Sequence, residues 1–456
     1  MSRLPAAVIG LAAALIAGST TDAQSRADPA PNDQAPAARV PGSPPAAMLA
    51  IVHAKAYAVP GAPPVADATI VVREGRIVSV NAGMAPPPGA TVVDAHGQVV
   101  TPGLMNAASQ LGVVEVSSTD DAVDQAIKSG PLGASFDIQY ALNTNSELVA
   151  LARGDGLTRA VSLPTASAAA PFAGQAAALR LGDGGDILDR PRVAVLAVIG
   201  GATSASAGGS RAAQWQILRN ALDEARLYRT LRRDLAPRDQ ILNHLDAEAL
   251  APVLDGRVPL AIAAQRESDI RQAIALAHDD NLRVVIVGGA EAWRVADLLA
   301  AAHIPVVLDP FANLPYSLDE IGARADNAAR LQRAGVTIAL APLDGASSIY
   351  TSYLAGEALR EVAGLAVASG LTWDQALKAI TTNPARIWGL ADHYGQLTPG
   401  EDADLVIWHG DPLDVSGWPV AVFVQGRAVS LRSHQSALRD RYAPAHLGEA
   451  WPSNYR

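Results

Sequence analysis

The chain has 456 residues, 49% of them hydrophobic, which is ample for one large core and a smaller companion domain. A formal net charge of −10 argues against nucleic acid or an anionic membrane surface as a partner. The lack of cysteine rules out disulfides, thiolate metal sites and cysteine nucleophiles.

At the amino terminus, Arg3 precedes an apolar run over residues 4–17, and Thr21-Asp22-Ala23 suits signal-peptidase cleavage before Gln24. Residues 1–23 are therefore expected to be a signal peptide, because the run is shorter than the roughly 20 residues that a bilayer crossing needs. The mature chain is expected to be periplasmic or secreted, with no membrane span after cleavage. Residues 24–47 are rich in Ala, Pro, Asp and Gln and predict a flexible leader. Short β runs follow at 49–57 and 68–80, the second turning at Glu74-Gly75. Residues 91–100 are strand-like, and a second buried strand opens at Thr101-Pro-Gly103 and runs into a loop ending near Gly112.

Between 101 and 391, apolar strands alternate with amphipathic helices, the signature of a βα-repeat barrel. The runs 159–163, 193–199, 258–264, 283–289, 304–309 and 336–340 are its readable strands. Residues 205–211 are Gly/Ser-rich and predict a loop. Trp215, Leu218, Leu222 and Ala225 recur at helical spacing, as do Val295, Leu298, Leu299 and Ala302. A helix over 268–277 and one opened by a Thr372/Gln375 capping box complete the series. Residues 403–408 and 420–430 return to the β signature.

Several of these segments resemble the amidohydrolase superfamily, above all its imidazolonepropionase-like and periplasmic dipeptidase-like members. The resemblance is carried by Thr101-Pro-Gly103, Asn383-Pro-Ala-Arg386, Gly395-Gln-Leu-Thr-Pro-Gly-Glu-Asp-Ala-Asp-Leu-Val406 and Gly410-Asp-Pro412. Phe172-Ala-Gly-Gln175 is similar to periplasmic relatives. It implies an α/β architecture: a (β/α)8 TIM barrel over 101–396 and a small discontinuous β-sandwich built from 48–100 and 397–432. A tail over 433–456 follows.

In that family the Thr-Pro-Gly segment leads into His-x-His, and the two histidines hold a catalytic divalent metal at the barrel mouth. Such a metal lowers the pKa of a bound water and polarises the scissile carbonyl. On this frame the two positions fall on Ala108 and Gln110. For the fifth strand, Ala263-Ala-Gln-Arg-Glu-Ser-Asp-Ile270 puts Ala263 and Gln265 where relatives carry His-x-His. The sixth-strand histidine corresponds to Gly288. The eighth-strand catalytic aspartate should follow Ala341, but Pro342 and Leu343 come next and Asp344 is one place late. Lys55, Lys128 and Lys378, the only lysines, lie off the barrel strands, and all nine histidines fall outside these positions. The resemblance therefore implies a hydrolase of non-peptide C–N bonds whose metal ligands are missing, a pseudoenzyme with no cofactor expected.

The cleft that such a fold leaves offers Asn106, Ser109, Gln110, Gln265, Arg266, Asp309 and Asn313 as ligand-contacting candidates. Asp344 and Glu115 are the candidate catalytic pair. Asp344 lies nearest the expected general base, and Glu115 stands among Val113, Val114 and Val116. Ser109 has no neighbouring histidine to activate it as a nucleophile. Gln110, Gln265 and Arg266 are equally read as internal glue, pairing with each other or with backbone in place of a metal. Two functions remain open. One is a metal-free, weakly active or non-catalytic protein that binds a small molecule or partners a related active chain or a second copy of itself. The other is an active hydrolase of cyclic amides or small peptides, using a rearranged zinc-type site or Asp344/Glu115 acid–base chemistry.

Overall fold

The computed structural model describes residues 48–167, 171–231, 242–343 and 349–442. The expected signal peptide and leader, and Asp344, lie outside them. Among the described residues no helix is long and apolar enough to cross a membrane.

The chain opens with β1 (Met48–Ala56), β2 (Val65–Arg73), β3 (Arg76–Ala82), β4 (Thr91–Asp94) and β5 (Val99–Pro102). Eight more strands follow: β6 (Leu104–Ser109), β7 (Leu157–Ser162), β8 (Phe172–Arg180), β9 (Leu188–Val198), β10 (Leu260–Ala264), β11 (Val284–Gly288), β12 (Val306–Leu308) and β13 (Ile338–Leu340). The last three are β14 (Leu405–His409), β15 (Trp418–Val424) and β16 (Arg427–Ala428). The first five and last three make one mixed sheet in the order β16-β15-β14-β5-β1-β2-β3, with β4 also on β1. All eight strands of the companion domain are thus joined through one hydrogen-bonded network. Its two halves meet where β5 pairs antiparallel with β14, Thr101 opposite Val406. The β2–β3 hairpin turns at Glu74-Gly75 as expected, with both residues left-handed (φ 50° and 79°). Ile51, Ile70, Ile77, Leu405 and Phe423 fill the core of this sheet.

The remaining strands form the barrel, in the order β13-β12-β11-β10-β9-β8-β7-β6. Pairing is parallel except at β8, which runs antiparallel to both β7 and β9. A parallel return needs a crossover of a dozen residues or more. Only residues 181–187 separate β8 from β9, with Gly184 and Gly185 both left-handed (φ 70° and 79°), so the chain doubles back as a hairpin. Helices α1 (Glu147–Gly154), α2 (Arg211–Leu231), α3 (His244–Leu254), α4 (Glu267–Asp279), α5 (Ala296–Ala301), α6 (Asn327–Arg333), α7 (Glu357–Ala368), α8 (Trp373–Ala379) and α9 (Thr382–Ile387) occur along the barrel segment. The tail carries α10 (His434–Tyr442). Trp215, Leu218, Leu222 and Ala225 of α2 are buried as their spacing predicts, and α8 carries the full Thr372/Gln375 capping box. Leu298 departs from expectation and is 43% exposed, because a 3₁₀ turn over Ala292–Val295 shifts the phase of α5.

The first and last barrel strands, β6 and β13, end the sheet without a ladder between them. The segment around α9 makes bonds to both. The Met105 amide donates to Ile380 O (2.8 Å), and the Trp388 indole donates to Ala107 O (3.0 Å). The Asn383 side chain, from the Asn-Pro-Ala-Arg motif, donates to Ile338 O (2.7 Å) on β13.

Among the described residues the interior cluster is rich in alanine, with Ala107, Ala108, Ala176, Ala178, Ala261, Ala339 and Ala341 beside Val161, Leu196, Val287 and Val307 and larger side chains such as Met105, Leu163 and Trp388. At the amino-terminal end of the strands the chemistry reverses. Arg159 on β7 is 0% exposed. It donates through Nε to Asp404 and through Nη2 to Asp402, both at 2.7 Å. Asp189 lies 2.8 Å from Nη1, as a charge contact without hydrogen-bond alignment. Burial opposes the charge of Arg159, but the attraction of Asp404 and Asp189 outweighs it and holds the guanidinium above its ordinary pKa. Burial likewise raises the Asp404 carboxyl, with Arg159 opposing. Asp402 and Asp404 belong to the Asp-Ala-Asp motif of the second β-sheet segment, so this cluster ties the barrel to its companion sheet.

Candidate functional site at the barrel mouth

The carboxyl-terminal ends of β6 and β9–β13 surround the mouth. Every residue of β6 is buried. Asn106 is spent on structure: its Nδ2 donates to Ala355 O (3.0 Å) and its Oδ1 accepts the Ala108 amide (3.0 Å). Ser109 Oγ donates to Val161 O (3.2 Å) and lies 3.4 Å from Ser162 Oγ, which itself donates to Leu111 O (2.6 Å). These hydroxyls stitch β6 to β7 and leave Ser109 no base. Gln110 Oε1 accepts from Thr351 Oγ1 (3.1 Å), while its backbone amide donates to Thr351 O (2.8 Å). Ala108, 2% exposed, joins the apolar interior.

On the opposite wall, Ala263 packs against the same cluster. Gln265 Oε1 accepts the Ala290 amide at 3.0 Å. Gly288 ends β11 at φ 95°, where a side chain is strained, and a Cβ added there would stand 2.5 Å from Gln265 Nε2 and 2.8 Å from its Cδ. The Gln265 carboxamide therefore fills the space into which any residue at 288 would project. The two positions are sterically one unit. Gln110 and Gln265 each keep an Nε2 donor with no partner among the described residues.

Arg266 turns away from both glutamines. Its Nε and Nη2 bind Asp269 (2.8 and 3.2 Å), and Asp319 stands 4.0 Å from Nε. The hydrogen bond to Asp269 holds its pKa above the ordinary value against partial burial. Arg211 pairs with Asp319 and approaches Asp269 (3.9 Å), and the Trp215 indole donates to Asp269 (3.3 Å). Gln110, Gln265 and Arg266 thus each bond to a separate partner rather than to one another.

Asp309, just past β12, accepts the amides of Phe311 and Leu343, both at 2.8 Å, and so ties β12 to the segment leaving β13. Asn313 is half-buried in the following loop, its backbone amide on Phe311 O (2.8 Å). Glu115 is half-buried in the loop after β6 and accepts from Asn143 Nδ2 (3.0 Å). Asp344 is outside the described residues, so its distance from Glu115 is not part of this geometry. Among the described residues no three His, Asp or Glu side chains converge as metal ligands would. The contribution of Thr351 was not foreseen, since its partner Gln110 lies 241 residues away. The Asp269, Asp319 and Arg211 network was also missed. Its only sequence signal is the Arg266/Asp269 spacing at a helix start.

The amidohydrolase family pattern matches residues 263–429. An amidohydrolase from Thermotoga maritima MSB8 superposes with a TM-score of 0.74 at 25% identity, covering 84% of this chain and all of that one. The chain thus carries the amidohydrolase family pattern over that segment and resembles this amidohydrolase in fold. A putative prolidase from Bifidobacterium longum shares the fold at 17% identity and a TM-score of 0.50, over 88% of this chain and 100% of its own. Amidohydrolase tasK of Hapsidospora irregularis is 42% identical over 59 residues, 13% of this chain. That match spans only 6% of the tasK chain. The pairing of β5 with β14 and the seam bridged by the Asn-Pro-Ala-Arg segment account physically for the two motifs that flank the barrel.

Proposed function

We propose that this amidohydrolase-superfamily chain binds a small ligand at the barrel mouth without a hydrolytic metal. The observation that carries the reading is the Gln265–Gly288 unit: a carboxamide occupies the place of a sixth-strand side chain and already spends its oxygen on Ala290. The other positions that the resemblance assigns to metal ligands hold Ala108 and Ala263, which have no donor atom, and Gln110, whose oxygen is taken by Thr351. Such a set does not fit zinc, which favours imidazole, thiolate or carboxylate. The unpaired Nε2 groups of Gln110 and Gln265 above an alanine-lined floor suit a compact, mainly apolar ligand with a carbonyl or carboxylate acceptor. Secretion after loss of residues 1–23, and assembly with an active relative or a second copy, belong to the same proposal.

Metal analysis of protein purified without chelators, run beside an amide and dipeptide hydrolysis screen, tests it. The expected result is zinc far below stoichiometric, a melting temperature indifferent to added zinc, and no turnover. Stoichiometric zinc with turnover would overturn it. A second reading, hydrolysis of C–N bonds in cyclic amides or small peptides, draws support from Asp309: its carboxylate holds the amide of Leu343, the residue before Asp344. Metal-independent turnover lost in Asp344→Ala, with folding intact, would select that reading.

A further inference from the structure

Away from the mouth, a groove of about 620 Å³ opens between α4, the turn before α5, and α6. Four arginines line it, Arg271, Arg294, Arg330 and Arg333, against one carboxylate, Asp297. This concentration runs against a chain that carries 45 acidic and 35 basic residues, where carboxylates to pair with are plentiful. Arg271 is held by Glu267 (2.9 Å), and Arg330 shares Asp326 with Arg324 (2.9 and 3.0 Å). Arg294 has no carboxylate partner among the described residues, and Arg333 makes only a bond to Ala329 O (3.1 Å).

Trp293 organises the group. Its indole N–H is fixed on Gly322 O (2.8 Å), and the guanidinium carbons of Arg294, Arg324 and Arg330 stand 4.6, 4.8 and 5.3 Å from its ring centroid. Stacking on an aromatic face holds a guanidinium without using its N–H donors, and those of Arg294 make no hydrogen bond among the described residues. Like charges gathered this closely repel, and a bound anion relieves that repulsion.

We infer that this groove is a binding site for a compact oxyanion of at least two negative charges, phosphoryl or polycarboxylate, with Arg294 and Arg333 as its chief contacts. The inference does not depend on what the mouth binds. The test is calorimetric titration of the intact protein at low ionic strength with inorganic pyrophosphate and, separately, with citrate. Saturable binding is expected for at least one of them, weakening as salt is added. The double variant Arg294→Gln/Arg333→Gln should bind at least about tenfold more weakly, because charge-assisted bonds are lost. Arg294→Lys/Arg333→Lys, which keeps the charge but not the fork, should fall between. Pyrophosphate binding alone would assign the phosphoryl source and citrate alone the carboxylate source; equal binding would assign charge as the determinant. The inference is overturned if neither anion saturates by about 10 mM, a range far weaker than specific recognition, or if the Gln variant binds as well as the parent.

Discussion

The two ends of the barrel solve opposite problems. At the amino-terminal end, the chain buries a full arginine and surrounds it with Asp189, Asp402 and Asp404. At the mouth, the wall positions carry Ala108, Ala263 and Gly288, and the glutamines beside them bond through their oxygens to Thr351 and Ala290. In this fold the amino-terminal face ordinarily serves stability and the mouth serves chemistry. The contrast places the charged contacts that tie barrel to companion sheet at the amino-terminal end, away from the mouth.

The sharpest way to break that contrast is Arg159→Met. It strands buried carboxylates without their cation, and urea unfolding should show a loss of about 3–5 kcal/mol or a chain that does not fold. A loss below about 1 kcal/mol would mean that packing, not the ion cluster, holds this end.

At the mouth, Gly288→His should cost about 1–3 kcal/mol through collision with Gln265 and the strained φ. The cost should shrink when Gln265→Ala is added. A double-mutant cycle with no coupling would sink the view that the two positions act as one.

Asp155 sharpens the picture of the lower end. It lies between α1 and β7, accepts the Glu357 amide (3.1 Å), and has its pKa raised to about 6 by burial first and the Glu357 charge second. A carboxyl that binds its proton more tightly when folded destabilises the fold once ionised. Stability should therefore fall as pH rises from about 4 through 6, then level off. Because the group keeps some contact with solvent, the effect is discounted to about 1–2 kcal/mol. Asp155→Asn should flatten that slope and stabilise the protein at pH 8, as thermal melts across the pH range would show.

The smallest effect belongs to Ser109→Ala. It removes one neutral hydrogen bond network contact, costs about 1 kcal/mol, and should leave any ligand binding or turnover unchanged. Abolished turnover would show that the hydroxyl is more than a stitch.

Much of this architecture could be read from the chain. Period-two apolar runs with a Glu-Gly turn located the companion sheet, and buried β runs separated by helical patterns located most barrel strands. The antiparallel β8 was less legible, because its alanine-rich run has neither β-branched residues nor alternation. Arg159 could not be found from sequence, since an arginine in a strand looks solvent-facing and its partner Asp404 is 245 residues away. At the mouth the identities of the wall residues were plain. What each amide had chosen as a partner was not, because Thr351 and Ala290 reach the glutamines only in the folded barrel.

The unladdered seam between β6 and β13 has a consequence for biosynthesis. A nascent chain that has emerged only through β13 presents two raw sheet edges, with the pieces that cover them, Ile380, Asn383 and Trp388, still inside the ribosome. Such edges template pairing with other chains. Truncation in the stretch between residues 341 and 379 should therefore leave a product prone to aggregate.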